Sequence, residues 1–249
     1  HPEYQYKKHF DLGAYWEQRY AAQRDSGSGS YGRLANYKAH FLNELIRHEA
    51  IESIVDFGCG DGNQATLLHI PRYIGLDISE SVIEQCRNRF ELDSSKEFEV
   101  YYPDQFDPAP YKAEMCISLD VIYHLSDDKI YEQYLEHLFR SATRFVVIYA
   151  NTDSFTPEGV DESSCYIRFR DFLSDVAARF SQWQLIGAEP NRYPYSRMMP
   201  NRTSFADFYV FAPTGSSTQI GFEQSTSDFR QLKALRMLSV QDENLAEIG

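Results

Sequence analysis

The stretch Val55-Asp56-Phe57-Gly58-Cys59-Gly60-Asp61-Gly62 sets closely spaced glycines beside two carboxylates. Glycine lets a backbone approach a ligand, and a strand that turns through glycines into a helix presents free N–H groups, an arrangement suited to nucleotides. The position that would complete a dinucleotide fingerprint is Asn63 rather than glycine. Asp56 and Asp61 would repel a pyrophosphate and attract a cation. The turn therefore points to an adenosine-type ligand that carries positive charge. Asp77, 21 positions after Asp56, ends the next apolar run, where a carboxylate could accept hydrogen bonds from both hydroxyls of a ribose.

A second group of reactive side chains is Asp120-Val121-Ile122-Tyr123-His124. Histidine offers a base with a pKa near working pH, so His124 is the candidate for taking a proton from an oxygen nucleophile, with Asp120 and Tyr123 beside it. Asp120 with Asn151 or Asp153 could hold magnesium, but no third ligand is evident and no metal is expected. From Arg168 to Arg202 six arginines fall in an otherwise acidic chain, and arginine forks suit phosphate or carboxylate groups. Surface solubility and salt bridges are the plainer alternative for each of them.

Strand-like and helix-like segments alternate in the right order to carry these residues. A helical repeat Leu34, Tyr37, Phe41, Leu45 precedes a short strand at 54–57, and the glycine turn should lead into a helix through Leu67. Further strands are expected at 73–76, 98–101, 114–119 and 145–149, with helices at 79–90, 127–139 and 169–180. This alternation means βαβ units and an α/β, doubly wound, mostly parallel sheet. Two last strands, 183–186 and 208–211, lie too close together for a comfortable crossover and should pair antiparallel.

The chain divides into an N-terminal segment, 1–33, a central domain, 34–213, and a tail, 214–249. Ser26-Gly27-Ser28-Gly29-Ser30 reads as a flexible loop, either a linker or, given its aromatic flanks, a lid. In the tail, Phe229, Leu232, Leu235 and Leu238 suggest an amphipathic helix for packing, self-association or a neighbouring domain. The 37 Asp and Glu against 24 Lys and Arg give a net charge of −13, which argues against a broad nucleic-acid surface. No apolar run approaches the roughly 20 residues that span a bilayer, and no secretory leader is visible. Four isolated cysteines fit a reduced, cytoplasmic setting.

S-adenosylmethionine, with its ammonium and sulfonium centres, is a cationic adenosine derivative of the required kind. The motifs Asp56-x-Gly58-x-Gly60-x-Gly62, Leu76-Asp77-Ile78-Ser79 and Leu119-Asp120-Val121-Ile122-Tyr123-His124-Leu125 together resemble the class I S-adenosylmethionine-dependent methyltransferase family over about Tyr37 to Phe211. The resemblance implies a seven-stranded sheet with its last strand antiparallel. It implies that Asp56, Gly58 and Gly60 hold the methionyl part and that Asp77 meets the ribose, with Cys59 and Ile78 also among the cofactor-binding residues. Asp104 would meet the adenine amino group, Phe106 would lie against the ring, and Leu119 and Asp120 would complete the cofactor wall. The region around Asp104 departs from the commonest family pattern.

The phrase Ser30-Tyr31-Gly32-Arg33-Leu34, taken with Asp120 to Leu125, is similar to a bacterial subgroup associated with glycan or secondary-metabolite assembly. That makes a small-molecule or glycan hydroxyl the expected acceptor, with Tyr31, Arg33, Arg168 and Arg197 as candidate contacts. Protein or RNA methylation is a competing reading. RNA is disfavoured by acidity, and transfer to amino nitrogens by the absence of an Asn/Asp-Pro-Pro-Tyr/Phe tetrapeptide after the fourth strand. A non-catalytic cofactor-binding scaffold is a third reading.

Overall fold

A computed structural model describes residues 11–152 and 167–216. The expected helical tail and Asp153 lie outside them. Seven strands form one sheet in the order β3-β2-β1-β4-β5-β7-β6: β1 (Ser53–Phe57), β2 (Arg72–Asp77), β3 (Lys96–Val100), β4 (Ala113–Leu119), β5 (Ala142–Ala150), β6 (Trp183–Glu189) and β7 (Asp207–Pro213). The first five pair in parallel. β7 inserts between β5 and β6 and runs antiparallel to both. This is the expected α/β architecture with the expected antiparallel hairpin.

The helices are α1 (Leu12–Ala21), α2 (Gly32–Glu49), α3 (Glu80–Arg89), α4 (Asp128–Ser141) and α5 (Phe172–Arg179). Their starts follow from local chemistry. Ser79, Asp127 and Asp171 cap α3, α4 and α5 by accepting the amide N–H of Val82, Ile130 and Ser174. The Asp171 cap explains why α5 begins three residues later than the apolar pattern indicates.

Two cores sandwich the sheet, as its alternating side chains require. On one face Leu42, Leu45 and Ile46 of α2 and Val82 and Ile83 of α3 pack against Ile54, Tyr73, Met115 and Val147. On the other, Leu135, Leu138 and Phe139 of α4 and Phe172 and Val176 of α5 pack against Val55, Ile74, Cys116 and Val146.

One expected helix is absent. After β1 the chain forms only a single 3₁₀ turn, Ala65–Leu67. The Asp61 side chain accepts the Asn63 amide at 3.0 Å, Gly62 adopts φ +72°, and Thr66 Oγ1 donates to the Asn63 carbonyl. Local side-chain bonds of this kind compete with helical ones. The loop therefore does not end in a helix N-terminus, and a phosphate would find no such seat there.

Where β2 crosses the glycine loop, a Cβ on Gly75 would come within 2.6 Å of the Phe98 ring and 2.9 Å of Cys59 Sγ. Gly75→Val should destabilise the protein by about 1–3 kcal/mol, the usual cost of overpacking. Thermal denaturation of the variant against the natural chain measures it.

Candidate active site

The strand order reverses direction between β1 and β4, and open parallel sheets bind ligands at such a point, beyond the carboxyl ends of the strands. A cavity of about 920 Å³ opens there. The loops after β1, β2 and β3 line one half with Gly58, Cys59, Gly60, Asp77, Ile78 and Asp104. The other half is bounded by the end of β4, from Leu119 and Asp120 to Tyr123 and His124, and by the β6–β7 loop.

Asp77 is buried at the tip of β2. Its Oδ2 accepts the Gly60 amide at 3.0 Å and its Oδ1 the Ser79 amide at 3.1 Å. Burial pushes its pKa up to about 6, against those hydrogen bonds. Asp56 lies behind the glycine loop rather than on the cavity wall. Its Oδ2 accepts the Tyr73 hydroxyl at 2.7 Å, and its Oδ1 is buried without a partner among the described residues. Burial pushes Asp56 up to about 7, although Tyr73 and the charge of Lys38 pull the other way.

Asp61, read from the sequence as a charge facing the ligand, is instead a fastening point. Its Oδ2 accepts the Ser26 amide and the Tyr31 hydroxyl, each at 2.8 Å, while its own amide donates to Ser26 Oγ. Ser26 Oγ also meets the Tyr20 hydroxyl at 3.0 Å, and Asn63 Nδ2 donates to the Ser30 carbonyl. The serine-glycine run is thus laid over the glycine loop as a strap. Where a Cβ on Gly60 would stand, Ser26 Oγ is only 2.3 Å away.

α1 extends this cover. Glu17 accepts the Ser79 hydroxyl at 2.6 Å, the Ser81 amide at 3.3 Å and the Ser81 hydroxyl. The two serine hydroxyls hold Glu17 below the usual carboxylate range. Trp16 stacks on Tyr20 and meets the His124 ring edge-on at 5.3 Å. Tyr15, Trp16 and Tyr20 of the aromatic flanks thus line the cavity.

At the end of β4, Asp120 adopts φ +63°. Lys38 Nζ donates to its Oδ2 at 2.6 Å, and the Tyr123 hydroxyl donates to its Oδ1 at 2.9 Å. Lys38 comes from α2 and its side chain is only 2% exposed. Sequence reasoning missed it, as it missed Glu17, whereas Trp16 was among the aromatic flanks of the serine-glycine run.

Several expected contacts fall elsewhere. Phe106 packs against Phe57, Tyr101 and Tyr111 in the core rather than on the cavity wall. Tyr31 is spent on Asp61. Arg33 donates to the Arg202 carbonyl and lies over the Tyr193 ring. Arg168 and Arg170 pair with Asp128 and donate to the Ser126 carbonyl, bracing the segment after His124. Arg197 is exposed and off the cavity. Arg168, Arg170 and Arg179 of the arginine-rich stretch are thus held by internal acids and carbonyls, away from the cavity wall. Asp104 reaches the cavity but also pairs with Lys129 at 3.2 Å.

The family model described as a methyltransferase domain matches residues 48–193. The chain belongs to that family. By family and fold it is a class I S-adenosylmethionine-dependent methyltransferase, as its motifs led us to expect. Among solved structures the chain is similar to the N-methyltransferase NodS from Bradyrhizobium japonicum in complex with S-adenosylhomocysteine, at 13% identity and TM-score 0.60, covering 83% of this chain and 100% of that one. It is similar to magnesium protoporphyrin IX methyltransferase from Synechocystis with the same product bound, at 13% identity and TM-score 0.58, over 82% and 98%. The CcbJ methyltransferase from Streptomyces caelestis aligns at 12% identity and TM-score 0.59, over 82% and 99%. No curated protein matches the sequence.

Two predictions follow from the buried charges of this methyltransferase. Lys38→Met leaves Asp120 without its cation and should cost about 3–5 kcal/mol. The double variant with Asp120→Asn removes both charges and should recover most of that loss in chemical denaturation. Asp56 titrates higher when folded than when unfolded, so its contribution is complete below its unfolded pKa and is lost as pH rises to about 7. Asp56→Asn should remove that part of the decline in stability between about pH 4 and 7, as read from denaturant midpoints across that window.

Proposed function

We propose that this methyltransferase transfers a methyl group to a hydroxyl of a small molecule or glycan. The observation that carries the reading is the single cavity joining Asp77 and the glycine loop to Asp120, Tyr123 and His124 across the switch point. The residues present fit the donor. The glycine-lined half of the cavity presents the backbone of Gly58 and Gly60 together with the carboxylates of Asp77 and Asp104. Gly58, Cys59 and Gly60 would carry the methionyl part, Asp77 and Ile78 the ribose, and Asp104 the adenine edge. When bound, S-adenosylmethionine supplies an electrophilic methyl group.

The chain's own residues supply the rest. Asp120 is held by Lys38 and Tyr123 and therefore orients Tyr123 rather than acting as a free base. His124 is the base we assign for removing the acceptor's proton, and Trp16 fixes its ring against the strap. α1 and the strap exclude water from the reacting atoms. We assign catalysis to residues 34–213 and the role of a lid to the N-terminal segment, whose described part begins at residue 11. A reduced setting accords with the free, buried Cys59, Cys86 and Cys116. Among the described residues no helix is long and apolar enough to cross a membrane.

His124→Ala should lower kcat by about 10²-fold or more, with S-adenosylhomocysteine affinity preserved in calorimetry. An unchanged kcat at saturating donor refutes the base assignment. Asp77→Asn should weaken S-adenosylhomocysteine binding by roughly 10–100-fold, the worth of hydrogen bonds to a charged group. In the natural chain that affinity should fall as pH drops below about 6, because a protonated Asp77 accepts ribose hydroxyls poorly.

A further inference from the structure

The acceptor half of the cavity has a chemical character that narrows the substrate. It is walled by Trp16, Tyr123, Phe169, Tyr195 and Phe205. Tyr195 and Phe205 stack at 3.8 Å, and Phe205 and Tyr123 each meet Phe169 at 5.8 and 5.9 Å. These rings come from α1, the end of β4, the approach to α5 and the β6–β7 loop. Four separate parts of the fold thus converge on one aromatic wall.

Three of the hydroxyls among them, those of Thr203, Ser204 and Tyr123, are already engaged. Thr203 Oγ1 donates to the Met199 carbonyl at 2.8 Å and accepts the Ser196 amide. Ser204 Oγ accepts the Ala206 amide, and the Tyr123 hydroxyl is committed to Asp120. A ring carrying many hydroxyls would lose water there and gain few partners, at a cost for each buried group left unpaired. An aromatic ring loses little and stacks.

Charge points the same way. Among the described residues Arg19 and Lys129 are the arginine and lysine on the cavity wall, and each is paired with an aspartate, Asp25 and Asp104. Asp120 in turn is neutralised by Lys38. An anionic acceptor finds no free counter-charge in this wall and approaches a chain of net charge −13.

Resting on the methyl-transfer reading, we infer that the acceptor is an uncharged aromatic ring bearing a hydroxyl, a phenol rather than a sugar or an aromatic acid. The reaction then breaks the sulfonium–methyl bond and forms an aryl ether. The phenolic proton leaves to base, and the sulfonium becomes a neutral thioether.

The test uses the full chain saturated with S-adenosylhomocysteine and three probes in calorimetry: 6-hydroxy-2-naphthamide, its carboxylate counterpart 6-hydroxy-2-naphthoate, and methyl β-glucoside. The amide should bind at least ten-fold tighter than the carboxylate, with the glucoside weaker still. Phe205→Ala and, separately, Tyr195→Leu should each weaken amide binding at least five-fold. Both variants should keep the S-adenosylhomocysteine affinity of the natural chain, which also shows that they are folded. The inference is overturned by a carboxylate or glucoside that binds as tightly as the amide. It is equally overturned if no probe binds to the loaded protein, or if amide binding is unchanged in both variants. Failure of the methyl-transfer reading itself shows separately, as absence of S-adenosylhomocysteine binding before any probe is added.

Discussion

The contact between Lys38 and Asp120 joins what the rest of the site depends on. It links a helix that precedes the sheet to the tip of β4, next to the point where the strand order reverses. Asp120 sits in a left-handed backbone conformation that a non-glycine residue adopts only when its surroundings hold it there. Lys38 on one oxygen and Tyr123 on the other provide that hold. Through Tyr123 the constraint passes to His124 and the aromatic wall, and through α2 to the strap, whose Gly29 lies against the same carboxylate.

The donor half is organised by a different rule. Its carboxylates are buried first and compensated afterwards. Asp77 takes two backbone amides, Asp56 takes one tyrosine, and Asp61 takes the strap. This concentration of acids in one short stretch is what made it read as a seat for a cationic ligand. Asp61 shows the limit of that logic, since its charge serves the protein's own backbone and side chains.

Much of this was legible in the sequence because it is written in short-range patterns. The strand-turn-strand run from Asp56 to Asp77 and the Asp120–His124 cluster each occupy one continuous stretch, so their spacing and family resemblance were readable, though not that Asp56 lies behind the loop. The missing helix after Gly62 was less legible, because Asp61 and Thr66 satisfy backbone groups locally in a way that periodicity does not register. The arginines misled for a related reason. Residue type announces a capacity for anions, whereas Arg168 and Arg170 spend it on Asp128, some forty positions earlier in the chain. Lys38 did leave a signal. It stands four residues after Leu34 and four before Leu42, so a lysine interrupts the buried face of α2 and must find a carboxylate there.

The strap and α1 bear on both halves of the cavity. Ser26 and Tyr31 are fastened to Asp61, and Glu17 to the two serines that open α3, so both anchors belong to the donor's floor. The same segment supplies Trp16 to the acceptor's wall and to His124. Donor side and acceptor side therefore share one cover, because the segment that Asp61 and the two serines fasten also carries the ring that stands beside His124.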